Sequence, residues 1–198
     1  MEPAFTPAGT QAIAAWASSQ GLPFLAWPEQ GWFRQWEPFD TLVPAAYYLN
    51  SVTRVGRHGQ VVLVEPWTEE GAGEPMERTV LAFASYPGLR HRAAARVGEH
   101  FITRVAFLES RPPPAVQVGD ALWDRHATTL APTPAEAAAA FHPELRRLLA
   151  GWGFRGHLEL RPGGLVVHYA GLGPIPAHYE RLVGIARQIA AAASRYPA

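Results

Sequence analysis

The sequence predicts an α+β fold: a mostly antiparallel sheet packed by a kinked middle helix and a long C-terminal helix. Three observations carry this. Short β-branched or alternating runs flank Gly56-Arg57-His58-Gly59 and Pro162-Gly163, which are turn sequences that join antiparallel neighbours. Thr133-Pro134-Ala135-Glu136 has the capping residues of a helix start, with proline at the first helical position. Tyr179, Leu182, Val183, Ala186, Ile189 and Ala193 recur at helical spacing, as the buried stripe of a closing helix would.

The first element reads as a helix capped by Thr6, begun at Pro7 and stopped by Gly21 and Pro23. Ile13, Trp16, Ala17 and Gln20 share one stripe, with Ile13 and Trp16 facing the core. Between Phe24 and Tyr48 neither the helical nor the strand period is sustained. An irregular, aromatic-rich segment is expected there, with one short strand near Phe24–Trp27. Ser51–Val55 and Gln60–Pro66 form the first hairpin. A polar loop from Thr68 to Pro75 leads to a strand over Arg78–Ser85. Gly88–Gly98 reads as helical or turn-like, and Phe101–Leu108 alternates as a further strand.

Arg111-Pro112-Pro113-Pro114 stiffens the chain, so residues 1–198 are read as one domain with a sub-boundary near 110–118. Leu122–Leu130 reads as a strand. Pro143 disfavours helical geometry at His142, so the helix opened at Thr133 kinks there or divides into two around His142. Leu145, Leu148 and Leu149 face inward and Gly151 ends the element. His157–Arg161 and Gly164–Tyr169 form the second hairpin.

Composition narrows the chemistry. The chain has 198 residues, enough to bury a core without staples, and no cysteine, which excludes disulfides, cysteine-ligated metals and thiol nucleophiles. All 17 basic residues are arginine, which excludes lysine Schiff bases and a P-loop lysine. The formal net charge is zero, which argues against nucleic acid or an anionic membrane as an electrostatic partner. The N-terminal residues lack a secretory pattern and nothing approaches a membrane-spanning length, so a cytoplasmic protein away from membranes is expected.

Four groups of residues are candidates for function. With the second hairpin turning at Pro162-Gly163, His157 sits opposite His168 and Glu159 shares their face. That is either the beginning of a divalent metal site or the solvent face of a half-buried hairpin. A register shift would put Glu159 opposite His168 instead. His157-Leu158-Glu159 also spells the HxE of zinc deaminases, but those need cysteine ligands that this chain lacks. Asp124 and His126 would share a face on a strand, as an acid–base pair or an ordinary surface cluster. Arg90, Arg92 and Arg96 are locally basic and could grip phosphate, or form a solvated face balanced by Glu69, Glu70, Glu74 and Glu77. Trp27, Trp32, Phe33 and Trp36, in the aromatic segment Phe24–Tyr48, are core, an aromatic contact surface or the lining of a small-ligand groove. Glycine pairs such as Gly71/Gly73 and Gly151/Gly153 match no nucleotide loop, and GxSxG is absent.

The order of Gly21-Leu22-Pro23-Phe24, the first hairpin, the strand at Arg78–Ser85, Phe141-His142-Pro143-Glu144-Leu145, the ribbon His157–Ala170 and a closing helix is similar to a loose class of uncharacterised bacterial proteins of high-GC organisms. It also resembles the type III secretion chaperones and YbjN-like proteins, which implies a small dimeric α+β protein that binds other proteins. The long aromatic insertion, the extra Phe101–Leu108 strand and the missing acidic balance depart from that pattern.

The reading is a non-enzymatic interaction module, adaptor or chaperone-like, without a cofactor and self-associating or bound to another protein. Its contact residues are Trp27, Trp32, Phe33, Trp36, Arg90, Arg92 and Arg96. The alternatives are a small metal-dependent or acid–base enzyme on the His157/Glu159/His168 or Asp124/His126 groups, and a nucleic-acid accessory protein.

Overall fold

Two tight turns organise the sheet. β2 (Tyr47–Gly56) returns as β3 (Gly59–Trp67) with Gly56 opposite Gly59, and β8 (Gly156–Arg161) returns as β9 (Gly164–Tyr169) with Arg161 opposite Gly164. Gly163 has φ +80°, which is open to glycine without the steric cost that a Cβ brings. The computed structural model describes residues 6–36, 45, 47–57, 59–67, 78–98 and 113–195. The expected loop Thr68–Pro75 and the expected strand Phe101–Leu108 lie outside these.

The described strands are completed by β1 (Phe24–Leu25), β4 (Leu81–Ser85), β5 (Ala93–Val97), β6 (Ala115–Val116) and β7 (Ala127–Leu130). Together they make a nine-stranded sheet in the order β1-β2-β3-β4-β9-β8-β5-β7-β6, antiparallel at each junction. The helices are α1 (Thr10–Ser19), α2 (Gln30–Arg34), α3 (Ala121–His126), α4 (Pro134–Ala140), α5 (Pro143–Gly151) and α6 (Pro176–Ala193). The expected α+β class is therefore the observed one.

Alternation along the strands makes two cores. Val52, Val61, Leu63, Ala82, Ala84, Ala95, Leu158, Leu160, Leu165 and Val167 point to the face covered by α1, α4, α5 and α6. Helix α6 covers it with Tyr179, Leu182, Val183, Ala186 and Ile189, all buried as their spacing predicts. Burying each of the larger apolar side chains stabilises the fold by roughly 1.5–3 kcal/mol. The opposite face carries a smaller core of Tyr48, Val62, Val64, Leu81, Phe83 and Val166, with Phe33 from α2.

The proline at 143 divides the middle helix in two. Thr133 caps α4 by accepting from the Glu136 amide at 3.1 Å. The Glu136 carboxylate does not close a capping box. It accepts instead from the Arg92 amide at 2.9 Å and lies 3.2 Å from His91 Nδ1. His142 caps α5, its Nδ1 accepting from the Leu145 amide while Nε2 faces the Ala192 carbonyl at 3.2 Å. Those bonds call for the tautomer that carries its proton on Nε2. Burial lowers the pKa of His142 below the usual histidine range.

Three local expectations change. The first helix begins at Thr10, where the Pro7 carbonyl accepts both the Thr10 amide and hydroxyl, and Gly9 precedes it at φ +86°. Thr6 is therefore not its cap. Within Gly88–Gly98, residues Ala93–Val97 form a strand, because pairing to β8 on one side and β7 on the other overrides the helical preference of Ala93-Ala94-Ala95. The expected strand Leu122–Leu130 is helix α3 followed by β7, since Asp120 accepts from the Leu122 and Trp123 amides and starts a helix.

One buried ion pair ties five segments together. Glu65 on β3 is fully buried and is held by Arg78 Nε and Nη2 at 2.5 and 2.9 Å, and by Asn50 Nδ2 at 2.9 Å. Asn50 sits at φ 53° where the β2–β3 register shifts between Leu49 and Val52. Its carbonyl accepts from the Tyr179 hydroxyl at 2.9 Å, and Arg78 also donates to the Ala8 carbonyl. Burial pushes the Tyr179 phenol above its ordinary range.

Candidate functional site

The second hairpin adopts the register that puts His157 opposite His168, with Glu159 opposite Val166. The shifted register is not formed. Nor is this a solvent face: His157 and Glu159 are 0% exposed and His168 is 6% exposed. Arg96 on β5 pairs in register with His157, so Arg96, His157 and His168 form one row across three strands. Glu159 is engaged by Arg161, and its other oxygen lies 3.7 Å from His157 Nε2. Burial and the facing His157 hold His168 down at about 4. Among the described residues, no group of three or more His, Cys, Asp or Glu is arranged to hold a metal ion.

The Asp124/His126 pair takes a different geometry from the expected one. Both lie on α3, where residues two apart do not face each other. Asp124 instead accepts from the backbone amides of Val118, Gly119 and Asp120 at 3.0–3.1 Å, closing the turn before the helix. His126 is exposed.

Phe33 is buried in the second core, stacked on Tyr48 with ring centroids 4.7 Å apart. Trp32 and Trp36 are half-buried and meet Phe83 edge-on, at 5.9 and 5.6 Å. Trp27 is half-buried against Tyr47 at 5.6 Å. Thus α2 and the residues flanking it lay these aromatics on the sheet and leave part of each indole toward solvent. Arg90 and Arg92 are exposed in the stretch before β5, and Arg96 is half-buried on it.

A concavity lies elsewhere among the described residues. A groove of about 760 Å³ runs between α3, α5 and the end of β5. Its apolar floor includes Val97, Trp123, Leu149 and Phe154, and Leu122 stands on the lip with 66% of its surface exposed. Trp123 is fixed from behind: its Nε1 donates to Thr129 Oγ1 at 2.9 Å and its ring packs near Phe141. Phe154 is seated edge-on against Tyr169 at 5.1 Å.

The groove's rim is cationic. Arg146, Arg147, Arg155 and His126 line it, with Asp120 as the carboxylate among its described residues. Asp120 is already committed: it caps α3 and lies 3.1 Å from Arg146 Nε. The Trp123 amide above all, and then Arg146, hold its pKa below the usual carboxylate value. Sequence reasoning missed this site because its residues come from three separated stretches. The Arg146-Arg147 pair on the outer side of a helix was the visible trace of it.

The fold and the groove define a class: an α+β protein with one long antiparallel sheet, most of its described helices on one face, the short α2 on the other, and an amphipathic cleft beside α3 and α5. No family model matches the sequence, and no curated protein matches it. Among solved structures the chain is similar to the mycobacterial trehalose monomycolate transport factor A, TtfA, at a TM-score of 0.64 and 11% sequence identity. The likeness covers 96% of this chain and 97% of that one, and at this identity it shows a shared fold. Among the described residues no helix is long and apolar enough to cross a membrane.

Proposed function

We propose that this chain is a non-enzymatic interaction module, an accessory protein that holds a partner or cargo, with the α3–α5 groove as its working surface. The observation that carries the reading is the groove itself. Among the described residues the groups that line it are guanidinium, imidazole, indole, phenyl and aliphatic side chains suited to recognition, and its carboxylate is spent on a helix cap and an arginine. The name of TtfA, a transport factor, is compatible with an accessory role of this kind. The resemblance to secretion chaperones rests on element order and adds self-association or a protein partner to the proposal. The half-buried edges of Trp27, Trp32 and Trp36 would serve as that second contact surface.

An apolar, anionic reporter dye tests the groove. Anilinonaphthalene sulfonate should bind with one dominant site per chain and brighten. Ala150→Trp, which adds an indole at an exposed groove position on α5, should abolish that site while leaving the unfolding midpoint unchanged. Dye binding that is indifferent to the plug would refute the groove as the working surface. Light scattering at rising concentration reads the self-association, and a monomer throughout would remove that part.

A further inference from the structure

We propose that the ligand of this groove is a single-chain lipid with an anionic head, a long-chain carboxylate, its tail lying on the apolar floor and its head held by Arg147 and Arg155. The inference rests on the groove being the binding site and goes further, to the chemistry of the occupant.

Charge is the first argument. The chain as a whole is neutral, yet the described lining of the groove gathers three arginines and a histidine against one aspartate that Arg146 already engages. The Arg155 carbonyl accepts the Ala170 amide at 2.8 Å, while its guanidinium has neither an ion pair nor a hydrogen bond among the described residues. Its aliphatic stem lies beside Gly98, where a Cβ would stand 3.3 Å from Arg155 Cγ. Gly98 has φ +89°, so the close approach and the backbone conformation both suit glycine. The stem is thus used in packing while the head stays available, the division of labour expected of a long cationic side chain. Arg147 donates to the Pro143 carbonyl on its own helix at 3.3 Å, which leaves further N–H groups for an anion. A planar guanidinium accepts a carboxylate through two parallel hydrogen bonds.

Apolar surface is the second argument. Leu122 is among the few large hydrophobic side chains of the described residues that stand mostly exposed, and it stands on this lip. The floor beneath it is held rigid by the Trp123–Thr129 hydrogen bond and the Phe154–Tyr169 contact, so a tail would meet a surface already in place.

Size is the third argument. A volume of about 760 Å³ falls within the roughly 300–1,000 Å³ of small-molecule sites. A single chain with an apolar tail and one anionic head matches that volume and that lining.

Dodecanoate and dodecanol, below the concentrations at which they self-associate, separate the two halves of the idea by displacement of the dye. Dodecanoate should bind one per chain, about tenfold or more tighter than the alcohol at low salt. The double variant Arg147→Gln/Arg155→Gln should bring the acid down to the affinity of the alcohol, and Ala150→Trp should remove both. Equal affinity of acid and alcohol for the wild type would overturn the proposal, as would a double variant that still binds the acid like the wild type. So would an acidic amphipathic peptide that displaces the dye where dodecanoate does not. In each of those cases the dye still reports an occupied groove. Failure of the dye itself to bind would instead bring down the reading of the groove on which this rests.

Discussion

Replacing His168 with glutamine should flatten the acid side of this protein's stability profile. His168 is buried on the sheet face it shares with His157, Glu159, Arg96 and Arg161, and its folded pKa stands near 4 against an ordinary value of 6.5. Because the folded value is depressed, the unfolded chain takes up the proton first as the pH falls. The stability that the neutral imidazole protects is therefore complete above pH 6.5, declines as the pH falls toward 4, and is fully lost below that. A gap of this width corresponds to a loss on the order of 3 kcal/mol, a large share of the roughly 5–15 kcal/mol that a typical domain has. Urea titrations at pH about 7.5 and about 4.5 should show a wild-type decrease of that order beyond whatever the His168→Gln chain loses. His142, also lowered by burial, acts with the same sign and leaves the variant a residual slope. Parallel profiles for the two proteins would refute the placement of a neutral, buried imidazole at position 168.

Further expectations follow from the packing. Arg78→Ala strands the buried Glu65 carboxylate with Asn50 as its described partner and should cost about 3–5 kcal/mol in denaturant titrations, well beyond an exposed ion pair. Thr133→Ala removes the hydroxyl that accepts the Glu136 amide and should cost about 1 kcal/mol, read as a lowered melting temperature. Gly164→Ala would drive a Cβ into the Trp36 indole and the Ala84 carbonyl, costing about 1–3 kcal/mol and red-shifting tryptophan emission. Adding Trp36→Ala should recover part of that loss, whereas strict additivity would mean that Trp36 does not cover the strand.

Legibility in the sequence followed the range of the interactions. The stripe on α6, the Thr133 cap, the break at His142-Pro143 and the Pro162-Gly163 turn depend on residues within about one helical or strand turn of each other, so pattern was enough. The register of the second hairpin followed from its turn, and with it the pairing of His157 and His168. That the same face would be buried did not follow, because alternation reports which residues share a side and says nothing of what covers it. Ala93–Val97 misled for a related reason: three alanines favour a helix locally, and pairing on both edges decides otherwise.

By itself, then, the sequence determined the class of fold, both hairpins, the divided middle helix and the exclusion of cysteine and lysine chemistry, since composition and short-range periodicity carry that information directly. Only the tertiary structure decided the order of the nine strands, the second core under α2 and the burial of the His157–His168 row. It alone also brought Leu122, Arg146, Arg147 and Arg155 to one groove. These are contacts between residues far apart in the chain. They arise because α3, α5 and the end of β5 are packed against the same sheet, a relation that no local run of residues encodes.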